Sequence, residues 1–231
     1  RQQKVNSILL RDKIDYFNKI YEKNNGNFKK AIQELIDRYD SLELVDISTK
    51  VYGITNDGQL IELDENDIEI QSRMGHIELT DSVVYDDDWQ AYVFFGDWQW
   101  DEGHPSEWDL EPWDCVGMYI RDRGVLDPEA FFLYGYNKRG RRTVYYNTED
   151  RRREGPVQKG DESRTGVAFW LDESVVDHGT LVAILDVDDW NDRTKVFLEY
   201  AHSWTEQNVT GVGGSVGVES FGLDISWDKG V

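Results

Sequence analysis

Gly96 to Cys115 reads GDWQWDEGHPSEWDLEPWDC and packs four tryptophans, seven carboxylates and a histidine into twenty residues. Aromatic faces stack on the C–H faces of sugar rings, and carboxylates accept hydrogen bonds from sugar hydroxyls. Trp108 and Trp113, with Glu107 and Asp109, are the residues here that suit a glycan platform. Trp98 and Trp100 have a competing assignment. With Tyr92 and Phe94 they fall on one face of an alternating run, and such a stripe normally builds core. The same stretch offers Glu102, Glu107 and Glu111 as paired carboxylates for glycoside hydrolysis, and His104 as a base. An acidic chain offers many such pairs, so this signal singles out none of them.

Oxygen ligands for calcium cluster at two further places, Asp86-Asp87-Asp88 and Asp188-Asp189 with Asp192. Calcium takes six to eight oxygens, and neither tip has the glycine spacing of an EF-hand loop. A solvated acidic loop is the competing reading of both tips, and the acidic composition favours it. No other cofactor is implied. There is no HExxH, no CxxC and no G-x-S-x-G, and the glycine-rich run Gly211–Gly217 lacks the lysine of a phosphate loop. Cys115, the single cysteine, opens an apolar run and reads as a small buried hydrophobe. The sequon at Asn208 offers one glycosylation site.

Positive charge is concentrated. Lys138, Arg139, Arg141, Arg142, Arg151, Arg152 and Arg153 bracket one short apolar run, Thr143 to Asn147. On an acidic chain such a patch suits an acidic partner surface, because complementary patches steer association and fix register. Local neutralisation by Glu149, Asp150, Glu154 and Asp161 is the competing reading. The whole chain carries −21, which disfavours nucleic acid and anionic membranes as partners. Residues 1–50 carry a net +2 and residues 51–231 a net −23. So heavy an acid load is expected where salt screens self-repulsion and a hydrated anionic surface keeps the chain dispersed. No apolar run reaches the ~18 residues of a membrane span.

The elements that position these residues divide near residue 47. Phe28, Ala31, Ile32, Leu35, Ile36 and Tyr39 form one helical stripe after a capping Asn27. A preceding helix over roughly 6–23 has Ile8, Leu9, Tyr16, Phe17, Ile20 and Tyr21 as its apolar set, and Asn24-Asn25-Gly26 breaks the pattern between the two. This hairpin, residues 1–47, is too small to fold alone. From Ser48 the period is two. Asn56-Asp57-Gly58 marks a hairpin turn, and short strands are expected at 77–84, 90–100, 115–121, 131–136, 142–147, 166–171, 179–187, 194–204, 209–218 and 219–227. Asp188 to Arg193 is expected as a hairpin tip between two of them. Residues 48–231 therefore read as an antiparallel β-sandwich preceded by the α-helical hairpin, a mainly β fold.

The ending Tyr200-Ala201-His202-Ser203-Trp204, the following Val/Gly/Ser alternation, Ser220-Phe221-Gly222 and Trp227 resemble small exported proteins of unknown function from saline-living archaea and some bacteria. The pattern covers about the last quarter of the chain. The resemblance implies export and supplies no catalytic residues. The combined expectation is an extracellular or cell-surface, non-enzymatic protein adapted to high salt. It would associate with itself or with another surface protein. Glycan binding through Trp108 and Trp113 is the alternative, and glycoside hydrolysis ranks behind it.

Overall fold

The computed structural model describes residues 2–54, 60–64, 75–101, 113–121, 126–163, 166–172, 174–187, 190–191, 193–205 and 208–212. Two helices open the chain, α1 (Gln2–Lys23) and α2 (Phe28–Arg38). Thirteen strands follow among the described residues: β1 (Leu42–Ile54), β2 (Leu60–Leu63), β3 (His76–Asp86), β4 (Ala91–Trp100), β5 (Asp114–Arg121), β6 (Leu126–Tyr136), β7 (Arg142–Asn147), β8 (Arg152–Glu154), β9 (Val157–Ser163), β10 (Gly166–Leu171), β11 (His178–Val187), β12 (Lys195–Thr205) and β13 (Asn208–Val212). They form an eight-stranded sheet, ordered β2-β1-β3-β4-β11-β6-β7-β8, and a five-stranded sheet, ordered β13-β12-β5-β10-β9. Every strand pair is antiparallel.

Period-two alternation gives each strand of the large sheet two different faces. In β4, Phe94, Trp98 and Trp100 point between the sheets, where they meet Met118, Phe169 and Leu198 of the small sheet. The aromatic stripe of the sequence is therefore core. The sheets approach closely enough that a Cβ at Gly96 would lie 2.8 Å from Leu198 Cδ1. Val93 and Phe95, on the other face, pack against Leu10, Phe17 and Leu35 of the helices. The molecule thus has three layers: helical hairpin, large sheet, small sheet. Each fully buried leucine or phenylalanine contributes about 1.5–3 kcal/mol of transfer free energy.

The hairpin docks because its stripe matches this outer face. Phe28, Ala31, Ile32 and Leu35 of α2 are buried, as the sequence period predicts. In α1 the buried set is Leu10, Ile14, Phe17, Ile20 and Tyr21. Asn25 and Gly26 turn the chain in the left-handed region, with φ of 53° and 78°. Asn27 then caps α2 by accepting the Lys30 N–H at 3.1 Å.

Three expectations change. Strand β1 starts at Leu42, so the two-residue period begins before the expected start at Ser48. Asp188 to Arg193 does not close a hairpin: β11 pairs with β4 and β6, whereas β12 pairs with β5 and β13. This connection crosses from one sheet to the other, and sequence adjacency gives no sign of that. Strands β8 and β9 also exist where none is expected, because Arg152-Arg153-Glu154 and Gln158-Lys159-Gly160 lack apolar alternation. The segment 219–227 and the turn at Asn56–Gly58 lie outside the described residues.

Candidate functional site

Strand β8 is the last strand of the large sheet, and with the β6–β7 turn it gathers the basic residues. Asn137 Oδ1 shapes that turn by accepting the N–H groups of Arg139 and Arg141, each at 3.0 Å. Gly140 at its tip has φ of +73° and open space around it. Asp150 Oδ1 accepts the Arg152 N–H at 3.0 Å in the next turn, where Arg151 adopts φ of 56°. Two arginines are then fixed by neighbours. Arg152 donates to Glu154 through Nη2 at 2.5 Å and Nε at 3.1 Å. Arg142 reaches the other Glu154 oxygen at 3.4 Å. Both guanidinium groups lie over the Tyr145 ring, at 5.2 and 5.6 Å from its centroid. Arg139, Arg141, Arg151 and Arg153 are exposed and make no ion pair with the described residues. The structure thus places the six arginines on β7, on β8 and in the turns at the two ends of β7. Glu154 and Tyr145 hold two of them, and Glu149 goes to Arg11 of α1 instead.

A few charged groups are buried and paired inside the fold. Lys13 of α1 is 5% exposed, and its ammonium lies 2.8 and 3.0 Å from the two oxygens of the fully buried Asp86. It also donates to Asp88 and to Ser41, each at 2.9 Å. The side chains that the sequence offers to calcium at this tip therefore meet a lysine. Asp87 is exposed, and its N–H donates to the Ser41 carbonyl. Asp188, Asp189 and Asp192 lie outside the described residues. Among the described residues, no three carboxylate, histidine or cysteine side chains converge as a metal site would require.

A second polar group lies under the helix turn. Tyr21 donates to Asp97 Oδ1 at 2.8 Å, and Gln99 Nε2 reaches Asp97 Oδ2 at 2.9 Å. Gln99 Nε2 also donates to the Gly26 carbonyl at 2.5 Å, joining the turn to β4. Burial pushes the Asp97 carboxyl well above the usual carboxylate range, and the Glu78 charge adds to this. The hydrogen bonds from Tyr21 and Gln99 oppose the shift. Beside them, Tyr136 donates to Asn18 and stacks on His178 at 5.4 Å. A cavity of about 430 Å³ opens here between the Asn24–Asn27 turn, Glu78 and Asp97. With both its oxygens engaged, Asp97 ties the hairpin to the sheet.

Of the proposed glycan platform, Trp113 is partly buried at the entrance to β5, and Trp108, Glu107 and Asp109 lie outside the described residues. So do Glu102, Glu111 and His104. Asn208 opens β13, opposite Thr205. Cys115 is fully buried, as its apolar setting predicts, and burial pushes its thiol far up.

Sequence reasoning missed the opposite edge of the large sheet. Among the described residues, strand β2 pairs with β1 over Val51–Ile54, while β3 pairs with β1 from Leu42 to Gly53. Among the described residues, no strand covers the other side of Leu42–Lys50. Leu44, Val45, Ile47 and Ile61 are the exposed large hydrophobics there, each 36–39% exposed. The signal was present in the alternation of LELVDIST, but Glu43 and Asp46 make it resemble a polar linker.

No family model and no curated protein matches the chain. Among solved structures, it is distantly similar to the KRT10-binding region domain of the pneumococcal serine rich repeat protein PsrP. The match has 10% identity, covers 74% of this chain and 89% of that chain, and has a TM-score of 0.31. No residue role follows from a likeness at that level.

Proposed function

We propose that this chain is an exported, non-enzymatic surface or assembly protein adapted to high salt, which works by associating with further copies of itself. The observation that carries the reading is the basic edge. Six exposed arginines stand at one end of a sheet in a chain of net −21, and four of them have no carboxylate within the described fold. Self-association is one way to satisfy them, because every copy carries both the basic edge and a large excess of acid. Salt adaptation is supported by the acid load, since copies of like charge approach one another only where long-range repulsion is screened. Extracellular placement rests on the resemblance of the C-terminal pattern.

Size-exclusion chromatography with light scattering, in about 1 M salt, tests this reading. At that ionic strength a Debye length of roughly 3 Å removes repulsion between whole copies but leaves contact pairs in place. The reading expects a mass that rises with protein concentration and returns to the monomer in Arg151→Glu/Arg153→Glu. A constant monomer mass of 26.9 kDa for the parent chain would overturn it.

A further inference from the structure

We infer that the cavity beneath the Asn24–Asn27 turn is a binding site for an uncharged saccharide, held through its hydroxyl groups. The inference stands apart from the association reading and does not need it.

The site follows from the strand period. Alternation puts Glu78 and Thr80 on one face of β3, and Asp97 and Gln99 on the same face of β4. The register sets Glu78 beside Gln99 and Thr80 beside Asp97. Four polar side chains therefore form a patch on a face that turns apolar further along, where Val84, Val93 and Phe95 pack under the helices. The helix turn roofs this patch without filling the space above it. The Gly26 N–H donates to the Tyr21 carbonyl at 2.9 Å and the Asn27 N–H to the Asn24 carbonyl at 3.1 Å, which fixes the roof. Gln99 holds the Gly26 carbonyl, and Tyr21 holds Asp97, so roof and floor keep their separation. A space of about 430 Å³ remains between them. Small-molecule sites run from about 300 to 1,000 Å³.

The lining selects the ligand class. Among the described residues it consists of amides, a hydroxyl, two carboxyls and an ammonium, with Phe28 as the single apolar side chain. An apolar ligand would strip water from these groups and return no hydrogen bond. Lys29 and Glu78 supply one charge of each sign, and burial pushes the Asp97 carboxyl toward its neutral form. The lining thus has no net charge with which to select an ion. It suits a ligand that donates and accepts at close spacing, and each hydroxyl of a sugar does both.

Three groups are free to make those bonds. Asn25, Lys29 and Glu78 are exposed, and their side chains form no hydrogen bond or ion pair with the described residues. Lys29 and Glu78 line the same space without pairing with each other, so a ligand between them meets a donor on one side and an acceptor on the other. Gln99 and Thr80 belong to the floor and are held by Gly26 and Thr49. Groups fixed in advance reduce the ordering cost of binding. Water competes for every one of these bonds, so the expected affinity is about millimolar.

Saturation-transfer NMR on the full chain tests the assignment, with glucose, galactose, mannose, N-acetylglucosamine, cellobiose and lactose as probes, each at about 10 mM. Glycine serves as a zwitterionic probe for the Lys29 and Glu78 charges. At least one sugar is expected to bind. Glu78→Ala should weaken it about tenfold and Asn25→Gly about threefold, the loss of a charged and of a neutral hydrogen bond. Glycine at position 25 keeps the turn, because the φ of 53° there costs glycine nothing. Trp108→Ala should bind as the parent does. The assignment fails if none of the six sugars binds, or if glycine binds and no sugar does. Sugar binding that survives both Glu78→Ala and Asn25→Gly, or that is lost in Trp108→Ala, would place the saccharide elsewhere and overturn it too. Unfolding curves matching the parent's identify variants that retain the fold, and an unfolded Glu78→Ala is replaced by Lys29→Ala.

Discussion

The helix-covered face and the two ends of the large sheet handle charge in opposite ways. Under the helices, Lys13 is enclosed by Asp86, Asp88 and Ser41, and Asp97 by Tyr21 and Gln99. Every one of these groups has a partner inside the fold. At the ends, Arg139, Arg141, Arg151 and Arg153 face solvent, and so does the acidic margin of β1. Buried charge has to be satisfied internally, because desolvation without a partner is severely destabilising. Exposed charge carries no such constraint and remains available to another molecule. The contrast separates residues that hold the fold from residues free to recognise a partner.

The largest effect that would sharpen this contrast is expected at Lys13. Lys13→Met leaves the Asp86 carboxylate buried without its cation and should destabilise the protein by about 3–5 kcal/mol, as for other broken buried pairs. The double variant Lys13→Met/Asp86→Leu should recover most of that loss in urea unfolding. A single variant as stable as the parent would show that water reaches Asp86.

Asp81 gives the next effect. Its carboxylate accepts the Leu198 N–H at 2.5 Å and so bridges β3 to β12 across the two sheets. Burial pushes its pKa up to about 7, while the Leu198 hydrogen bond and Lys50 oppose the shift and Asp46 adds to it. The folded state therefore holds a proton that the unfolded chain releases near pH 4. This group's contribution to stability falls as pH rises from about 4 to 7 and stays lost above that. Asp81→Asn keeps an acceptor for Leu198 and should be more stable than the parent by about 1–2 kcal/mol at pH 8. The advantage should shrink toward pH 4. A pH-independent difference would contradict this origin.

Asn27→Ala removes the α2 cap and should cost about 1 kcal/mol in thermal or urea unfolding. The smallest stability effect is expected at the edge. Arg151→Glu/Arg153→Glu should move unfolding by no more than about 0.5 kcal/mol, because the altered side chains are exposed and their neighbours are solvated. A large loss there would place the basic patch among the residues that hold the fold.

How far the sequence discloses this division depends on periodicity. Helix α2 was legible because Phe28, Ala31, Ile32 and Leu35 repeat at helical spacing and all are buried. The core face of β12 was legible in Val196, Leu198 and Tyr200 for the same kind of reason. The connection from β11 to β12 was not, since a change of sheet depends on packing between distant strands. The basic patch was visible as composition, but its place on an edge strand depends on β8, which has no apolar period to announce it. The roles of Lys13 and Asp97 were invisible: a lysine on a helix and an aspartate in a strand declare no partner until the layers meet. Calcium at Asp86–Asp88 is an inference from carboxylate density, and density alone does not reveal that Asp86 and Asp88 meet a lysine from another element.

Hydrogen–deuterium exchange at low and high protein concentration, in about 1 M salt, tests the central claim most directly. The account predicts that amides in Arg151–Glu154 become protected as concentration rises, while those of α1, β4 and β11 exchange at unchanged rates. Protection that rises elsewhere while this edge stays unaffected would contradict it.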